Sequence, residues 1–270
     1  MAITTGDGYI ASAKQVIPYV KTAAVTTVAT TRYTMFAAAG NPTAGTLAGT
    51  AAPGPLFTSS TAGCPSINAF GSGSPIGYLT RVSYSNTVIG RLELWDKLYG
   101  VAVSLTALAT TTVTTPPAYS GRLPSGPDYT GLRLFVEITT TVSATATTVQ
   151  VTYTDQGGTS RAAAATASLS GFVAARWVEI PLVSGSTGIQ KIESVTVGGT
   201  VATAGAVNVI ICRPLWTNSV RVANAAGSGV DGIDRTGMPQ VFATSALVLT
   251  AVADSTSTGT PDLNIEIANA

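Results

Sequence analysis

The chain has 270 residues, with 14 basic side chains, 13 acidic ones and no histidine, for a net charge of +1. Charged residues make up 10% of it, where an ordinary soluble protein carries about 25%. Without histidine there is no His-based triad, no His zinc ligand and no imidazole base, and the near-zero charge argues against electrostatic nucleic-acid binding. A hydrophobic fraction of 45% and a mean hydropathy of +0.36 exclude compositional disorder. The opening MAITTGDGYIASAK has neither the basic start nor the apolar block of a secretory signal. VFATSALVLTAVA (Val241 to Ala253) is about 13 residues long, short of the roughly 20 that a membrane helix needs, so no membrane segment is expected.

In chain order, residues 1–37 read as an extended arm, with VIPYV and AAVTTVATTRYTMF as short strand-like pieces. Residues 38–76 form a long uncharged Gly/Pro-rich loop, expected to lie against a neighbouring surface rather than float free. From Gly77 the alternation sharpens. GYLTRVSYS, TVIGRLELWDKLYG and VAVSLTALATTTVTT each read as strands, the second with Leu92, Leu94 and Asp96 on one face and Arg91, Glu93 and Trp95 on the other. PPAYSGRLPSGPDYTG (Pro116 to Gly131) is a turn-rich insert that no strand could tolerate. LRLFVEITTTV and TATTVQVTYT are strands dense in β-branched residues, and Asp155 to Gly158 is a hairpin turn into SRAAAATASLS. RWVEIPL, KIESVTVGGT and AGAVNVIICRPL follow as strands. After a loop at Asn224 to Gln240, VFATSALVLTAVA suits a strand or a short helix, and PDLNIEIANA an edge strand.

This spacing, with no amphipathic helix, predicts an all-β fold: a jelly-roll-like β-sandwich or barrel with an extended N-terminal arm and a long Gly/Pro-rich loop. The expected divisions are 1–76 for arm and loop, 77–220 for the body, and 221–270 for a C-terminal extension carrying the edge strand.

No catalytic pattern emerges. Glu137, Glu179 and Glu193 fall where alternation points outward, so they read as surface charges rather than a glycosidase pair. VDGIDRTG lacks the ligand run of a calcium loop and reads as a turn capped by its aspartates. No glycine pair is followed by GK[ST], and no G-x-S-x-G elbow occurs. Cys64 and Cys212 read as two reduced thiols, with a pairing left open. Trp95, Trp177 and Trp216 suit a core or an interface better than a sugar platform. No enzyme activity, cofactor or metal is expected. A surface made mostly of Thr, Ser, Ala and Gly suits a protein that buries much of itself against other chains.

The blocks SGRLPSGPDYTG, ITTTVSATATTVQVTYTDQGGTSR, KIESVTVGGTVATAGAVNVIICRPLW and DRTGMPQVFATSAL resemble a group of tailed-bacteriophage virion structural proteins. The resemblance covers most of residues 77–250 and implies a capsid decoration, or cement, protein: a β-rich homotrimer on the outer capsid surface that clamps the major capsid protein. The implied partners are the major capsid protein and copies of the chain itself, with no nucleic acid and no membrane. The expected capsid or subunit interface residues are Tyr19, Arg32, Tyr33, Phe36, Phe57 and Phe70. A tail or fibre component that reads a host receptor or glycan is the alternative, and a jelly-roll capsid subunit the second.

Overall fold

Valine, isoleucine and threonine are stiff at χ1 and pack well on a pleated surface, so segments that alternate them with small polar residues become strands. The computed structural model describes residues 5–70, 73–225 and 229–269. Helix α1 (Gly6–Ala11) is followed by β1 (Ala13–Lys21), β2 (Arg32–Thr34) and β3 (Gly40–Asn41). Then come β4 (Ile76–Ser85), the long β5 (Gly90–Ser104), β6 (Thr110–Thr112), β7 (Arg133–Thr140), β8 (Thr147–Asp155), β9 (Ser160–Ala162), β10 (Arg176–Ile180), β11 (Ile189–Gly199) and the long β12 (Ala206–Val220). The chain ends with β13 (Gly229–Asp231), the single-turn α2 (Ile233–Thr236), β14 (Gln240–Phe242), β15 (Leu247–Ala253) and β16 (Asp262–Asn269). This is an all-β protein of the sandwich-or-barrel class that the spacing predicts. It divides into two compact units, one of residues 1–45, 58–96 and 215–270, the other of residues 46–57 and 97–214.

In the first unit a sheet runs β13-β4-β16-β1-β3, with β14 also on β4. Ile17, Tyr19, Val82, Tyr84, Leu263, Ile265 and Ile267 alternate inward from it. They share one core with Leu92, Leu94, Leu247, Leu249 and Ala251 of β5 and β15, so two layers close on each other. The C-terminal segment is not an edge. Residues Asp262 to Ala268 of β16 pair with β4 on one side, and Asp262 to Asn269 pair with β1 on the other. Alternation reports which face is buried and is silent about what lies beside the strand.

The stretch at 1–76 supplies β1, β2 and β3, and Tyr19, Tyr33, Met35 and Phe36 are buried in this unit. Part of the Gly/Pro-rich loop belongs to the second unit and lies along the chain's own β5. There Phe57 N donates to Leu98 O (3.0 Å), Ala102 N to Thr50 O (2.8 Å) and Gly100 N to Pro55 O (3.3 Å). The neighbouring surface expected for this loop is therefore, in part, the chain itself.

In the second unit the sheet β6-β11-β8-β9 faces the ladder β12-β7-β10. Val149, Val151, Tyr153, Ile192, Val195 and Val197 meet Leu134, Val136, Ile138, Val207, Val209 and Ile211 in one core. The hairpin at Asp155 is as predicted: Oδ1 accepts from Gly157 N and Thr159 N, both at 2.9 Å, and Gly158 takes a φ of 85°. The outer edge of β8 is closed without a long partner strand. β9 covers Thr152 to Thr154. Past it, Ala163, Thr166 and Leu169 N donate to Val151, Val149 and Thr147 O, each at 2.9 Å. Such coverage removes the unpaired row on which another strand would grow.

Candidate functional site

Charge is scarce in the sequence, and the fold spends much of it inside. Lys21, Glu93, Asp96, Lys97, Arg122, Glu137, Asp155, Arg213 and Asp231 are all buried. Buried charge is costly unless it is paired and hydrogen-bonded, so each partner set defines a built site.

One such site lies in the first unit, where β5 is buried on both faces. Leu92 and Leu94 enter the core, as predicted, while Glu93 and Trp95 turn to the other side. Arg32 grips Glu93 through Nε–Oε2 (2.6 Å) and Nη2–Oε1 (3.2 Å), Arg91 Nε donates to Oε1 (2.8 Å), and the Thr250 hydroxyl donates to Oε2 (2.9 Å). Burial pushes the Glu93 carboxyl up; Arg32, Thr250 and Arg91 outweigh it and hold the group below the usual carboxylate range. Asp231 is a second anchor, accepting from Trp216 Nε1 and Asn218 Nδ2, both at 2.7 Å. It is a buried acceptor in β13 and not the cap of an open turn, because the indole needs a partner once buried.

The densest site is in the second unit. Glu137, expected at the surface, is 0% exposed. Alternation correctly turns it away from the Leu134–Val136–Ile138 face, but that other side is covered too. Glu137 pairs directly with Trp177 on β10 and Asn208 on β12. Trp177 Nε1 donates to Oε1 and Asn208 Nδ2 to Oε2, each at 3.0 Å, and Lys97 Nζ lies 3.0 and 2.8 Å from the two oxygens. The Phe57 ring sits 4.2 Å from the same ammonium. The buried Arg122 guanidinium donates to Lys97 O (3.1 Å) and to Phe57 O. Sequence reasoning saw Glu137 alone. The missed signal is a lone polar residue between apolar neighbours, Glu137 between Val136 and Ile138 and Asn208 between Val207 and Val209, together with the Asp96-Lys97 pair inside the otherwise apolar run of β5.

Of the six residues expected at an interface, Tyr19, Tyr33, Phe36 and Phe70 are buried in the first unit. Arg32 is half-buried on Glu93, and Phe57 is half-buried beside Lys97. Large aromatics report burial first, whatever covers them. Trp95, Trp177 and Trp216 are buried as well, each indole N–H being satisfied inside its own unit. Cys64 and Cys212 are buried thiols. Among the described residues no group of three or more Cys, Asp or Glu could hold a metal ion, and no helix is long and apolar enough to cross a membrane.

The exposed apolar side chains of the first unit include Val16 (60%) and Val230 (51%). Both lie on the outer face of the β13-β4-β16-β1 sheet. One cross-strand row there reads Pro18, Asn264, Ser83 and Val230. That row carries no charge, while the next row, Val16, Glu266 and Arg81, holds one acid and one base.

No family model matches the chain, and no curated protein matches it. Among solved structures it is similar to the VP2 subviral particle of infectious bursal disease virus, at 8% identity and a TM-score of 0.20, covering 95% of this chain and 80% of that one. A second similarity is to T=1 particles derived from infectious bursal virus, at 10% identity and a TM-score of 0.20, covering 95% and 78%. Likeness at this level assigns neither fold nor function.

Proposed function

We propose that the chain is a non-enzymatic virion component that binds the outside of a phage shell as a decoration protein and stabilises it, assembling as a homotrimer. The observation that supports this reading most is the distribution of charge. With nine of its 27 ionic side chains buried, the protein presents an exterior in which sparse charges such as Arg81, Arg133 and Lys191 are spread among Thr, Ser, Ala, Gly and isolated Val. Such a surface disfavours a solitary life in solution and suits one covered by other protein. The blocks that resemble tailed-phage virion proteins agree with it.

Mechanically, a sheet face with few charges gives shape-dependent contact with little charge desolvation, and repetition over many shell positions multiplies a modest single affinity. Deleting the first 37 residues would remove β1 and β2 and so would measure folding. The informative variants place charge on the outer sheet face: Val16→Glu and Val230→Lys. They are expected to keep the fold and to lose co-sedimentation with shells stripped of the protein. Full binding by both, with the wild type also binding, would remove this face from the contact. No binding by the wild type would end the decoration reading and move the search to the tail and to host-cell glycans.

A further inference from the structure

Lys97, Glu137 and Asn208 are 1%, 0% and 3% exposed. Lys97 Nζ is 2.8 Å from Glu137 Oε2, and Asn208 Nδ2 is 3.0 Å from that same oxygen. An amine and a carboxamide are therefore each one hydrogen bond from one carboxylate atom. The placement is set by backbone register, since Asn208 and Glu137 are direct cross-strand partners. It is further fixed by Trp177 Nε1 on Oε1 (3.0 Å) and by Leu47 O, which accepts from Asn208 Nδ2 (3.0 Å). There is no room to spare: a Cβ on Gly49 would lie 1.8 Å from Asn208 Oδ1. That Oδ1 is itself buried with no hydrogen-bond partner, so the carboxamide carbonyl is free to accept one as charge develops on it.

We propose that Lys97 and Asn208 become joined by an intramolecular isopeptide bond, with Glu137 carrying the protons. Lys97 Nζ first passes a proton to Glu137, which leaves a neutral amine with its lone pair. That pair attacks Asn208 Cγ, the C=O electrons move to Oδ1, and the protonated Glu137 stabilises the tetrahedral centre through its O–H. The second Nζ proton passes to Nδ2, the Cγ–Nδ2 bond breaks as the carbonyl re-forms, and ammonia leaves; the freed ammonia then takes the Glu137 proton. Glu137 ends as the carboxylate it began as; the ammonium charge departs with the leaving group as NH4+. No oxidant, metal or cofactor enters the balance. Holding amine and amide in one dry site replaces a collision with an intramolecular step, and excluding water suppresses hydrolysis of the intermediate. The product would tie β5 covalently to β12 within the second unit.

The test is the intact mass of the purified full chain with a peptide map. The expected result is a mass about 17 Da below that of the sequence, the loss of one ammonia. A branched peptide should join the Lys97 and Asn208 segments, and trypsin should fail to cut after Lys97. A wild-type chain at full sequence mass with Lys97 recovered as a free amine would overturn the proposal. So would a gain of about 1 Da at Asn208, which would mean that water and not Lys97 attacks it. Glu137→Gln keeps the shape and removes the proton carrier, and should stay at full mass; loss of ammonia in that variant would overturn the role of Glu137. If Glu137→Gln does not fold, Glu137→Asp takes its place and should close the bond more slowly than the wild type. Closure at the wild-type rate would count against Glu137. The wild-type mass alone decides the bond.

Discussion

Lys21 is 2% exposed, and its ammonium donates to Ala38 O at 3.0 Å and to Pro42 O at 2.8 Å. Burial pulls its pKa from the ordinary 10.5 down to about 8, so the folded protein releases this proton before the unfolded chain does. Between those values the unfolded state binds more protons, and stability rises with pH; below about 8 the full cost of burying the charge is present. Lys21→Met removes the titration. In denaturant unfolding from pH 7 to 10.5, the wild type should gain on this variant as the pH passes about 8. A constant gap across that range would contradict the account. Little of this residue-scale chemistry was legible beforehand. Alternation placed Leu92 and Leu94 inward correctly. It could not show that the opposite side of β5 and β7 is also covered, which is why Glu137 read as a surface acid. Polar residues on a doubly buried strand look, in a sequence, like polar residues facing water.

Elements were far easier to read, because a strand writes its own period. In β1, Ile17 is 5% exposed while Val16 is 60% exposed. Ile17→Ala should therefore cost about 2–5 kcal/mol in denaturant unfolding, and Val16→Ser within about 0.5 kcal/mol of nothing. Equal effects would mean that β1 is not seated as described. The join of β3 to β1 depends on Gly40, whose φ is +140° and whose Cβ, if present, would lie 2.2 Å from Val20 O. Gly40→Ala should destabilise by about 1–3 kcal/mol on the same measure, and a neutral result would refute the tight approach. The hairpin at Asp155 was visible from its glycines. The position of β16 between β1 and β4 was not, because neighbour choice in a sheet is made by residues hundreds of positions away.

At the scale of the whole molecule, the two units interleave along the chain. The second consists of residues 46–57 and 97–214, and the first of the segments on either side. A division at residue 76 or 220 could be guessed from composition. Contacts between residues far apart in sequence, such as β1 with β16, leave no compositional mark. What composition did show is the scarcity of charge, and the fold sharpens it by burying Lys97, Glu137 and their like. A protein with so neutral an exterior is expected to be found covered. The most direct measurement is co-sedimentation of the purified protein with shells stripped of it, read together with survival of the shells on heating. Saturable binding that raises the temperature at which shells break is the predicted result. Shells that neither bind the protein nor gain stability from it would contradict the account.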